Sequence, residues 1–100
     1  MKVKEFIDFI NSREFWHLDE LDNSDLEEIK DAIVVEEYSS LERHRWFSTA
    51  VTVYKLEDGF VGVSGICDIF TDWDDYKVFG IKCHAGEMIE VPTITYKWKA

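Results

Sequence analysis

From residue 32 onward the hydrophobic pattern abandons helical spacing and breaks into short runs. AIVVEEY, RWFSTAVTVYKL, GFVGVSGICDIF, YKVFGIKCH and MIEVPTITYKWK follow one another. Each is rich in Val, Ile, Thr and aromatic side chains, the composition of a pleated, half-buried surface. The joins are short. EDG between Leu56 and Phe60 is a hairpin signal, TDWDDY joins the third run to the fourth, and AGE joins the fourth to the fifth. Parallel neighbours need a crossover of a dozen or more residues, so this spacing predicts an antiparallel meander. Pro92 has no N–H for a ladder, which makes the last strand an edge or a bulged one.

Upstream, Val3, Phe6, Ile7 and Ile10 recur at helical spacing, with Lys4, Glu5 and Asp8 on the other side. They predict a short amphipathic helix over residues 3–10, with Asn11 and Ser12 as stop chemistry. EFWHL, residues 14–18, is aromatic and reads either as a turn that packs down or as a strained continuation. Ser24 followed by Glu27 is a capping-box pattern, and Asp25 suits a helix amino terminus. A second helix of one to two turns is expected over residues 25–31, with Leu26, Ile29 and Ile33 as its buried stripe. Residues 32–38 either extend that helix or begin the sheet. The resulting architecture is α+β: one or two short N-terminal helices packed on a four- to five-stranded antiparallel β-sheet.

One hundred residues make one domain, residues 1–100, large enough for a core without covalent staples. Cys67 and Cys83 fall on neighbouring strands of a hairpin expected to turn near residues 72–75, and in that register Cys67 faces residue 79. Two free, mostly buried thiols follow, which suits a reducing compartment. Glu5 and Asp8 interrupt any signal-peptide core, and no apolar run reaches the roughly 20 residues of a membrane span. A soluble, cytoplasmic protein is the expectation.

The net charge is −10, and it is uneven. Residues 1–42 hold 13 Asp and Glu against 4 Lys and Arg, whereas residues 43–100 hold 8 against 7. An anionic membrane or a nucleic acid needs a basic face, so neither is an expected direct partner.

Several patterns invite chemistry and give little. Asp72, Asp74 and Asp75 surround Trp73, but a twelve-residue calcium loop started at Asp72 would put Lys77 where glycine belongs and Cys83 where glutamate belongs. Aspartates favour turns for local hydrogen-bonding reasons, and a turn-borne Trp between carboxylates suits a partner contact. Cys67, Cys83, His17, His44 and His84 lack the spacing of a zinc site, and they read as core thiols and surface histidines. ERHRWF, residues 42–47, is the one basic island. It suits an anion, or it neutralises the acidic segment from within. No nucleophile motif or phosphate loop is present. A non-enzyme without metal or cofactor is expected.

HLDELDNSDLEEIKD, residues 17–31, holds seven carboxylates and one lysine. Solubility alone asks only for a net charge of about 2 to 8 in a small domain. Lysines at i, i+4 spacing would relieve the repulsion, and only Lys30 is there. The segment is either solvated surface or a working face for a basic partner. Asp19, Glu20, Asp22, Asp25, Glu27, Glu28 and Asp31 are the candidate patch. Glu36, Glu37 and the turn Asp72, Trp73, Asp74 and Asp75 are candidate extensions. Duplex DNA carries one charge per roughly 1.7 Å, a density that carboxylates on a helix and its turns approach. Arginines that read phosphates or bases pair equally well with carboxylates.

ERHRWFSTAVTVYKLEDGFVGVSG, with the small size and the acidity, resembles small proteins encoded by bacteriophages of low-GC Gram-positive bacteria, including those of the anti-CRISPR inhibitor type. The likeness covers residues 33–65 and is one of general character. It implies an inhibitor that occupies the nucleic-acid groove of a basic protein such as a CRISPR effector nuclease. The alternative is a non-catalytic structural or assembly module that forms homo-oligomers.

Overall fold

The computed structural model describes residues 1–21, 31–70, 80–91 and 95–99. One α-helix, α1 (Val3–Ser12), and a 3₁₀ turn (Leu18–Leu21) precede five strands. These are β1 (Ile33–Arg43), β2 (Phe47–Leu56), β3 (Gly59–Ile69), β4 (His84–Val91) and β5 (Thr95–Trp98). They form a single antiparallel sheet in the order β1-β2-β3-β4-β5. The α+β meander expected from the sequence is the observed fold. Residues 33–38 belong to the sheet. The second helix expected at 25–31 falls almost wholly outside the described residues, and Ile33, assigned to its buried stripe, is an exposed β1 residue.

Two boundaries differ from expectation. AGE, expected as a join, lies inside β4, with Ala85 opposite Val63 and Gly86 opposite Gly62. The run expected as one last strand is instead two, β4 and β5, paired through Met88–Trp98 and Val91–Thr95. A local β-propensity scan treats small residues as breakers, whereas here glycine is kept because a neighbouring side chain occupies the space a Cβ would fill. The last strand is an edge, as expected, although Pro92 itself lies outside the described residues. The β3–β4 ladder ends at Ser64–His84, so Cys67 has no partner on β4 and Cys83 precedes β4. Both thiols are free.

Strict alternation gives the sheet two faces. Ala50, Tyr54, Leu56, Val61, Val63 and Ala85 point to the side covered by α1. Val51, Val53, Phe60, Met88 and Tyr96 form a smaller cluster on the other side. The helix buries Val3, Phe6 and Ile10, and the Phe6 and Tyr54 rings meet at 5.0 Å. EFWHL packs down as a turn, with Phe15, His17 and Leu18 buried. Gly65 lies under this layer, where a Cβ would come within 2.5 Å of Cys83 Sγ.

Polar groups fix the helix on the sheet. The Val3 N–H, one of the orphan donors of the first turn, donates to Asp58 Oδ1 in the β2–β3 turn at 2.8 Å. At the other end Asn11 bridges to Ala85: Nδ2 donates to the Ala85 carbonyl at 3.1 Å, and the Ala85 N–H donates to Oδ1 at 2.8 Å. The β5 ladder begins only at Met88, so the amide of Asn11 supplies the pairing that a strand would give Ala85. Lys82 Nζ donates to the Asn11 carbonyl at 3.0 Å. The Asn11→Ala variant leaves a buried N–H and C=O unpaired, and urea unfolding is expected to show a loss of about 1–3 kcal/mol. Lys4→Ala, on the solvent side of the same helix, is expected to change stability by less than about 0.5 kcal/mol.

Candidate functional site

Of the acidic residues singled out, Asp19, Glu20, Asp31, Glu36 and Glu37 are described. Asp22, Asp25, Glu27, Glu28, Asp72, Trp73, Asp74 and Asp75 lie outside the described residues. Asp19 and Glu20 sit on the 3₁₀ turn, where both carboxylates are structural. Glu20 Oε1 accepts the Trp16 and His17 N–H groups at 2.8 and 3.0 Å. The Asp19 N–H donates to His17 Nδ1 at 3.0 Å, which places the ring proton on Nε2. Asp19 Oδ1 accepts the Tyr38 hydroxyl, tying the turn to β1. His17, expected at the surface, is buried because the turn folds over its ring.

Register divides the remaining acids. Glu36 lies opposite Val53 and Glu42 opposite Thr49, so both belong to the helix-free face. Glu37 and Asp31 are exposed. Bulges break the β1–β2 ladder three times, and Tyr38 and Ser40 take positive φ values of 52°. Such irregularity twists an edge strand away from regular pairing.

The basic island does not neutralise the acidic segment among the described residues. The Arg43 guanidinium lies 4.5 Å above the Phe70 ring and Arg45 lies 4.7 Å above Trp46. The two aromatics are joined by a bond from the Phe70 N–H to the Trp46 carbonyl at 2.8 Å. The ion pairs among the described residues are elsewhere: the amino terminus with Glu57 and Lys99 with Glu87. Arginine is held by rings here because its flat, weakly hydrated cation stacks well.

Described residues line a concavity on each side of the sheet. A pocket of about 440 Å³ on the helix side is lined by Tyr38, Leu41, Arg43, Cys67, Asp68 and Phe70, among others. A groove of about 480 Å³ opens on the helix-free face and includes Glu42, Thr49, Ser64, His84 and Trp98. Its walls come from β1 and β5, the two edges of the sheet, so the sheet curls about this face. Trp98 lies across the backbone of two glycines: a Cβ on Gly86 would meet Cζ3 at 3.0 Å, and one on Gly62 would meet Cη2 at 2.9 Å. Partial burial raises the Tyr96 phenol above its ordinary value, and the carboxylates of Glu90 and Glu36 add to the effect.

The sequence reading missed the groove. Its signals were Gly62, Gly86 and Trp98, but AGE passed for a turn, and without the β4–β5 register nothing linked the tryptophan to the glycines. Among the described residues no three His, Cys, Asp or Glu side chains gather as metal ligands, and no helix is long and apolar enough to cross a membrane. Comparison with protein-family models, with curated proteins and with solved structures finds no match.

Burial, then the Glu20 carboxylate, pushes the Cys83 thiol up to about 12, and burial with Asp68 and Asp19 raises Cys67. Above the ordinary thiol pKa the unfolded chain loses its proton while folded Cys83 keeps it, so stability falls as pH rises from about 9 to 12. Chemical denaturation across that range is expected to show a shallower fall for Cys83→Ala than for the unaltered protein.

Proposed function

We propose that this chain is a non-catalytic inhibitor that binds a basic nucleic-acid-handling protein, of which a CRISPR effector nuclease is one candidate, through a DNA-like acidic surface. The observation that carries the reading is the fate of the arginines. Arg43 and Arg45, the first cations after the acidic segment in sequence, stack on Phe70 and Trp46, and Arg13, which precedes the segment, stacks on Phe9. Asp31, Glu37 and Glu42 are exposed with no ion-pair partner among the described residues. Leaving like charges uncompensated costs stability, and a cationic groove on another protein offsets that cost. Occupying such a groove requires no catalytic group.

Exposed edges support a second reading, a homo-oligomeric assembly module. Ile33 is 61% and Leu41 65% exposed on β1, an edge strand, and such edges invite pairing with another chain. Light scattering separates the two: a monomer favours the inhibitor, and an oligomer whose mass ignores salt favours assembly.

The inhibitor reading predicts that the complex captured from a bacterial lysate contains a nucleic-acid-binding protein from which duplex DNA displaces this chain. Its affinity is expected to fall at least about tenfold between roughly 50 and 300 mM salt. Asp31→Lys with Glu37→Lys is expected to weaken it further. Binding that ignores salt, DNA and both substitutions counts against the proposal.

A further inference from the structure

The chain's carboxylates are not confined to the acidic segment, and the groove on the helix-free face is chemically more selective. Pairing places Glu36, Glu42 and Glu90 on this face, through Val53, Thr49 and Tyr96 respectively. The same face carries Phe60, Tyr96 and Trp98, with the Phe60 and Tyr96 rings 4.9 Å apart. Its basic side chains among the described residues include Lys55, opposite Phe60 on β2, His84 at the start of β4, and His44, which reaches Thr49. Three carboxylates among three aromatic rings make a surface for an organic cation, since a ring face attracts positive charge and a carboxylate neutralises it.

The groove adds shape. Gly62 and Gly86 have no side chains, so the Trp98 indole settles against the backbone and remains 42% exposed while lining the cavity. Glu42 stands on the opposite wall, contributed by β1. Between them lie the hydroxyls of Thr49 and Ser64. Thr49 Oγ1 is 3.3 Å from His44 Nε2, and Ser64 Oγ donates to the His84 carbonyl at 3.4 Å. The volume of about 480 Å³ falls in the range of about 300–1,000 Å³ typical of ligand pockets.

We propose that this groove receives an arginine side chain of the basic partner protein, with its guanidinium stacked on Trp98 and paired with Glu42. Arginine rather than lysine is specified because a planar cation covers an indole face and meets a carboxylate through two N–H groups, whereas an ammonium is a compact, strongly hydrated point charge. The inference rests on the inhibitor reading for its partner and adds the point of contact. On this account the partner is held by one oriented side chain as well as by diffuse charge, and it inserts that side chain between the two edges of the curled sheet.

The test uses two peptides of equal charge, a lysine-rich one carrying two arginines and the same peptide with both changed to lysine. Calorimetry is expected to show the arginine peptide binding at least about fivefold more tightly. Glu42→Gln and Trp98→Leu are each expected to abolish that preference; the leucine keeps an apolar cover on the glycines, and circular dichroism checks the fold. Asp8→Lys, on the far side of α1, is expected to weaken both peptides equally and to leave the preference intact. Equal affinity for the two peptides, or a preference that survives both groove variants, overturns the groove assignment. In either case the inhibitor reading is judged separately, by whether duplex DNA and salt displace the chain from a captured nucleic-acid-binding protein.

Discussion

Burial of the apolar stripe of α1 against one face of the sheet is the interaction on which the rest of this structure depends. Phe6 and Ile10 are fully buried, in one cluster with Tyr54 of β2 and Val61 and Val63 of β3. A helix of 10 residues is too short to persist alone in water. Its position is therefore set by the sheet, and the sheet supplies partners at both ends: Asp58 caps the first turn and Ala85 pairs with Asn11. The same anchoring carries the chain into the segment around Phe15, whose carbonyl accepts the Cys83 N–H at 2.7 Å. From there the 3₁₀ turn closes over His17 and delivers Asp19 to Tyr38.

Among the described residues the helix covers one face only, which leaves the other for a different use. Alternation along β2 and β3 gives both faces apolar residues, but the helix-free cluster is small. What surrounds it is charged or aromatic, and the glycines at Gly62 and Gly86 draw the edge-strand tryptophan inward. This is the aromatic cover of sheet glycines by a neighbouring strand. A curled sheet with one covered face leaves a concavity whose rim belongs to its two edges, and here those edges bring Glu42 and Trp98 to one groove.

Charge in this chain is handled by separation. The acids gather in the first two fifths, and the arginines are retained on aromatic rings, Arg13 on Phe9 and Arg43 and Arg45 on rings at the β1–β2 turn and the end of β3. The two populations do not cancel locally among the described residues. The acids are also not equivalent. Asp19 and Glu20 complete a turn, Glu36 and Glu42 lie on the helix-free face, and Asp31 and Glu37 face water. A purely compositional view of acidity merges these three roles, although only the last two leave a carboxylate for a partner.

The amino-acid sequence by itself determined the element types and their order. Helical spacing in residues 3–10 and β-rich runs with short joins sufficed for a helix followed by an antiparallel meander, because both are periodicities of neighbouring residues. It also determined the uneven charge. Tertiary structure alone decided that Ala85–Glu87 continue a strand, that His17 is buried, that Arg43 and Arg45 stack on rings, and that Glu42 and Trp98 share a groove. These depend on strand register, on bulges in β1 and on the curl of the sheet, which are settled by packing between residues far apart in the chain. A local pattern carries no record of that distance.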